Sequence, residues 1–270
     1  MKDTLLLIFC LFSIGIFSQD NFKLYYEETE NGFKILADND EYTPVSAKID
    51  FRLENLTSTN GGNNVFVVPE KTKRHTITNL KVIDRKKRIK LGYESIYNHG
   101  NHNQKKYDTD FKYYLPFKKG EEYWLSQGYN GATSHQNENA LDFKMPLGTK
   151  IYAARDGVVV DIEESYSKSC TSSECAKYNN FILIYHSDGT FAEYTHIKKN
   201  GAQVTIGDQI KIGQFIGYSG DVGWATGPHL HFIVFFQRLK ERITLKTKFL
   251  TGKGKQAITL IEKEKYSREY

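Results

Sequence analysis

Between Val204 and Gly223 the chain reads VTIGDQIKIGQFIGYSGDVG, with glycines at 207, 213, 217, 220 and 223 and apolar residues between them. That rhythm of very short apolar segments and glycine turns predicts a compact antiparallel sheet folded on itself. The neighbouring segments agree. Asp156-Gly157 precedes VVVDI (158–162). FILIYHSDGTFAEYTHI (181–197) reads as two strands around Ser187-Asp188-Gly189, a hairpin signal. No long helical period and no internal repeat is present. The fold class is all-β.

The region before Lys118 is also β-rich but of different texture. SAKIDFRLENL (46–56) alternates, with Ile49, Phe51 and Leu53 on one face and Asp50, Arg52 and Glu54 on the other. NLTSTNGGNN reads as a turn, VFVVP (65–69) as a short strand, and HTITNLKVID (75–84) as another, with Ile77, Leu80 and Val82 nearly in step. Short strands with frequent turns predict a small sandwich. YNHGNHNQ (97–104) is loop-like, and His99 and His102 read as ordinary loop histidines. The organisation is therefore a segment 1–19, a β-rich domain 20–118, a second domain 119–236, and a charged extension 237–270.

Residues 1–19 have the pattern of a secretory signal peptide: Lys2, an apolar run from Thr4 to Phe17, and small Ser18 at its end. The run is shorter than the roughly 20 residues a membrane span needs. The expectation is export, to the periplasm or the medium, with no stable membrane anchor after cleavage. Once Cys10 is removed with that segment, Cys170 and Cys175 remain. In an oxidising compartment they should form a disulfide that pins a short loop. The net charge of +5 is mild. It favours anionic surfaces such as a cell wall, and export argues against a nucleic-acid partner.

Three places carry chemistry. In GPHLHF (227–232) the strand period of two puts His229 and His231 on one face and Leu230 on the other. SHQNENALDF (134–143) offers His135 and Asp142. Both residue types bind zinc, and Asp142 between Leu141 and Phe143 is placed as an inward-facing carboxylate that a metal would compensate. AEYTHI brings His196.

The ordered set of His135 with Asp142, HSDGTFAEYTHI and GDQIKIGQFIGYSGDVGWATGPHLHF resembles the M23 zinc metallopeptidases, the lysostaphin- and LytM-like peptidoglycan endopeptidases. PLGTKIYAARDGVV (146–159) matches the family's text as well, and the resemblance spans about 119–236. It implies one zinc ion held by His135, Asp142 and His231, with His196 and His229 as catalytic histidines and Tyr129 as a donor to the oxyanion. The commonest first motif separates His and Asp by three residues, whereas six intervene here. That interval also contains Glu138 and Asn139; Asp142 is assigned because LDF and the following MPLGT align. The implied function is an exported zinc metallo-endopeptidase that hydrolyses peptidoglycan stem or crosslink peptides by a zinc-activated water. The alternatives are a non-catalytic module of the same fold that binds wall or activates a hydrolase, and a zinc protease acting on a protein.

Overall fold

The computed structural model describes residues 21–270. The expected signal peptide lies outside them. Among the described residues no helix is long and apolar enough to cross a membrane. Among the described residues the single helical element is the 3-10 turn Ser173–Tyr178, and the others are strand or loop.

The chain divides into two compact units. The first comprises residues up to Asn103 together with Gln237–Glu241; the second comprises Gln104–Phe236 and Arg242–Tyr270. In the first unit a four-stranded sheet is built from Phe22–Thr29, Gly32–Asn39, Thr72–Val82 and Leu56–Ser58, in that order. A three-stranded sheet is built from Val65–Val68, Val45–Glu54 and Lys90–His99. Phe33, Ile35 and Leu80 of one sheet and Val45, Ala47, Ile49 and Val68 of the other share one core, as a sandwich requires.

Two local expectations are corrected here. Leu56–Ser58 is a short strand rather than part of the turn, and Tyr97–His99 closes a strand rather than opening a loop. The imperfect step of Ile77 and Leu80 has a physical cause. Ile35 faces Thr78 while Leu36 faces Thr76, so Ile77 is the extra residue of a bulge that resets the alternation.

The second unit is organised by a nine-stranded sheet. Its path runs Gln209–Ile210, Gly157–Glu163, Phe181–Tyr185, Phe191–Thr195, Leu230–Gln237, Ala140–Phe143, Glu122–Gln127 and Lys265–Ser267, and Arg242–Thr244 pairs beside Leu230–Gln237. Every neighbour pair along the path is antiparallel. One face is the core, with Leu141, Phe143, Ile182, Ile184, Tyr194, Leu230, Phe232 and Val234 buried in one cluster.

The extents differ from the sequence boundaries at both ends. Tyr113, Leu115 and Phe117 are buried in this second core, so the segment from Gln104 joins it. At the other end Lys265–Ser267 hydrogen-bonds along Glu122–Gln127, and Tyr266 is buried. Residues 242–270 are thus part of the unit and not an appendage.

The Ser187-Asp188-Gly189 hairpin forms as expected, with Tyr185 facing Phe191. Beside it His186 is fully buried, and its Nδ1–H donates to the Asp156 carbonyl at 2.7 Å. Burial first, and the nearby Arg155 charge second, push its pKa down to about 4. An unfolded chain takes up this proton near pH 6.5, whereas the folded chain does so only near pH 4. Over that window the unfolded state holds more protons, so stability falls as pH drops. The full shift corresponds to roughly 3 kcal/mol. His186→Gln is expected to flatten the dependence of the urea midpoint on pH between 6.5 and 4; an unchanged slope would assign the acid sensitivity elsewhere.

Candidate metal and catalytic centre

The centre stands on the sheet face opposite the core. Leu141 and Phe143 enter the core, so Asp142 between them points the other way, and His231 does so between Leu230 and Phe232. Asp142 and His231 are direct partners across the two strands. A single carboxylate oxygen, Asp142 Oδ1, lies 3.0 Å from His231 Nδ1 and 3.3 Å from His135 Nε2.

His135 arrives from the loop between the strands. Its Nδ1 is 3.0 Å from the Gly128 carbonyl, which can only accept, so Nδ1 carries the proton and Nε2 presents a lone pair. That Nε2 is buried and has no hydrogen-bond partner. A lone pair facing a carboxylate oxygen is unfavourable unless a cation joins them. Tetrahedral nitrogen and oxygen ligands at about 2.0–2.1 Å from zinc stand roughly 3.3 Å apart. The three ligand atoms lie within 4.8 Å of one another, so residues and geometry fit a metal. The six-residue interval is taken up by a turn with Asn137 at φ 61°. Asn139, in that interval, is engaged elsewhere, with its backbone N–H and amide both donating to Thr244.

The electrostatics demand positive charge at the same point. Burial works against the charged form of Asp142. The neighbouring His135 and His231 imidazoles outweigh it and hold the carboxyl well below its usual range. Burial likewise disfavours a charged His231, and Asp142 overcomes it and raises the imidazole.

Two more imidazoles border this cluster. His196 and His229 have ring centroids 4.4 Å apart, and His196 lies 6.0 Å from His231. Each is fixed by its Nδ1–H on a backbone carbonyl: Val222 at 2.7 Å for His196, and Gly227 at 2.8 Å for His229. Each therefore leaves Nε2 as the acceptor, and that of His229 is 3.8 Å from Asp142 Oδ1. Burial, then the neighbouring charges of His229 and His231, push the His196 pKa down to about 3. His196 is thus a neutral imidazole at physiological pH.

His196 has φ 65°, a conformation a non-glycine residue rarely holds. It sits at the corner where the chain leaves the strand Phe191–Thr195 for the strand Ile197–Ala202 of a separate three-stranded sheet. Gly220 packs against that corner: a Cβ there would stand 2.6 Å from the His196 carbonyl oxygen and from the Lys198 nitrogen. Gly220 also bridges to His229, so the glycine holds both histidines' backbones together.

Tyr129 has a different setting. Its hydroxyl accepts from the Thr247 N–H at 3.1 Å and pairs with Thr247 Oγ1 at 2.9 Å. Burial pushes its pKa up to about 12, so it is a neutral hydroxyl.

Sequence reasoning passed over three supports. Gln127 donates from Nε2 to Asp142 Oδ2 at 3.0 Å, while its Oε1 accepts the N–H groups of Thr133 and Ser134. It steadies the carboxylate and the loop that carries His135 together. Alternation alone hides it: two residues after core-facing Leu125 it would share the core face, and the bulge between the pairs Phe143–Leu125 and Asp142–Gln127 turns it to the carboxylate. The second support is the Val222 carbonyl behind His196. The third is a strand pairing: the expected Cys170–Cys175 disulfide forms, and beside it Ser169–Cys170 pairs with Gly223–Trp224. Asn179 Oδ1 accepts from the Trp224 N–H at 3.0 Å and completes the brace.

Residues 136–242 match the peptidase family M23. The peptidoglycan DD-endopeptidase ShyA of Vibrio cholerae is 36% identical over 94 residues, 35% of this chain and 19% of that protein. The glycyl-glycine endopeptidase ALE-1 of Staphylococcus capitis is 36% identical over 118 residues, 43% of this chain and 28% of that protein. The solved structure of lysostaphin from Staphylococcus simulans shares 30% identity, with 42% of each chain covered and a TM-score of 0.34. The chain thus spans less than a third of the length of these two curated relatives.

Proposed function

Because residues 136–242 form a domain of peptidase family M23, we propose that this chain is an exported zinc metallo-endopeptidase that hydrolyses peptide bonds in the stem or crosslink peptides of peptidoglycan. The observation that carries this reading is the convergence of the unpartnered His135 Nε2, Asp142 Oδ1 and His231 Nδ1 beside two backbone-anchored imidazoles. The named activities of ShyA and ALE-1 are directed at different bonds, so they support the substrate class and not one linkage. The disulfide supports an oxidising compartment.

His135, Asp142 and His231 would hold the ion. Bound zinc supplies Lewis-acid polarisation and brings the pKa of water toward about 7. His196 and His229 orient the attacking water and accept its proton at Nε2, then return it to the departing amine. Gln127 keeps Asp142 from rotating. No side-chain nucleophile is required.

Tyr129 is the proposed donor to the developing oxyanion, and to act so its hydroxyl must exchange Thr247 for the substrate. Tyr129→Phe separates the roles. A fall in kcat of about 10²-fold with an unchanged thermal midpoint supports oxyanion donation. A lowered midpoint with unchanged kcat assigns the hydroxyl to Thr247.

The function is tested with a purified cross-linked muropeptide. New termini seen by mass spectrometry, lost on chelation and restored by zinc, are the expected result. Intact substrate at full zinc occupancy would favour a non-catalytic module or a protein substrate.

A further inference from the structure

The site-bearing face of the sheet does not end at Asp142. Tyr123, Leu125 and Tyr266 pack with the core, so their neighbours Trp124 and Lys265 point to the site's side. Those two are direct partners across their strands. Lys144 follows Phe143 onto the same face, and its N–H bonds to the Trp124 carbonyl. Ser126 completes the surface, donating to the Asp142 carbonyl at 3.1 Å. Strand spacing and rise place Trp124 about 8 Å from Asp142, backbone to backbone.

The two directions away from the centre differ. Along Leu230–Gln237 the same face carries Ile233 and Phe235, both 1% exposed. Toward Lys265–Ser267 it stays open, and Trp124 is 51% exposed. A single exposed apolar side chain is ordinary on a protein surface. What marks this one is its position beside a metal-competent cluster and its polar surround. Lys144 is exposed, and Lys265 reaches Glu122 at 2.5 Å.

We propose that Trp124, with Ser126, Lys144, Lys265 and Glu122, is a sugar-binding platform that seats the glycan strand of the same peptidoglycan whose peptide lies at the His135–Asp142–His231 centre. This rests on the reading of the chain as a peptidoglycan peptidase. The chemistry matches. A pyranose ring is amphipathic: its axial C–H face stacks on an indole, and its hydroxyl and N-acetyl groups at the rim meet ammonium, hydroxyl and carboxylate groups. A stem peptide is covalently joined to its sugar, so a glycan site close to the peptide site adds affinity without altering the reacting atoms.

The zinc-loaded full chain is titrated with tetra-N-acetylchitotetraose while the indole N–H resonances are followed by NMR, with Trp124→Ala assigning the Trp124 signal. The expected result is a saturable shift of that signal. In parallel, Trp124→Ala should raise KM on intact sacculi roughly tenfold while kcat holds, and leave KM on a glycan-free cross-linked peptide unchanged. A Trp124 signal unmoved at millimolar sugar overturns the platform, as does an equal rise in KM on the glycan-free peptide. Cleavage of neither substrate would sink the peptidase reading instead, and the indole shift would then judge the platform alone.

Discussion

His231→Ala is expected to abolish zinc binding and peptide hydrolysis together. His231 Nδ1 and His135 Nε2 approach one oxygen of Asp142, so removing His231 leaves two ligands where a catalytic zinc site usually has three. Losing even a partner that only orients a ligand typically costs 10–100-fold in metal affinity or activity. Loss of a ligand itself should exceed about 10³-fold on the same scale. The metal-free protein should also be less stable, because Asp142 is buried and would lose one of the imidazoles that compensate it. The measurement pairs metal content by atomic emission with turnover on a muropeptide. Retention of zinc at full stoichiometry in His231→Ala would remove His231 from the ligand set.

His196→Asn is expected to separate metal from turnover. Asparagine tolerates the left-handed backbone that His196 holds at φ 65°, so the corner between the two sheets should survive. Zinc content should stay near one per chain, because His196 contributes to none of the three close ligand contacts. Turnover should fall by about 10²–10⁴-fold, the range for a lost general acid–base group. His229→Ala should behave alike, since the two rings lie 4.4 Å apart and face one space. Full activity of His196→Asn on a true substrate would make His196 a structural corner residue and nothing more.

What could be read from the sequence was local or periodic. The hairpin within 181–197 forms where its pattern placed it, whereas Asp142, expected to face inward, points away from the core that Leu141 and Phe143 enter, and the short strands of 204–223 pair with distant strands in separate sheets rather than with one another. What escaped was long-range. Val222 and Gly128 act through backbone carbonyls, which no side-chain pattern reports. The bulge at Ile77 is invisible in composition, because an extra residue in one strand is defined only by its partner. The charged tail concealed a strand, since Lys265–Ser267 buries only Tyr266 while its neighbours face outward at the sheet edge. The first boundary was set too late for the opposite reason: Tyr113, Leu115 and Phe117 are apolar enough for either core, and packing alone assigns them to the second.

The most direct test is to locate the ion. Crystals of the zinc-loaded chain, measured on both sides of the zinc absorption edge, should give one anomalous peak per chain. The peak should lie about 2.0–2.2 Å from His135 Nε2, an Asp142 oxygen and His231 Nδ1, with His196 and His229 uncoordinated. A peak bound instead by His196 and His229, or none at saturating zinc, would contradict the account.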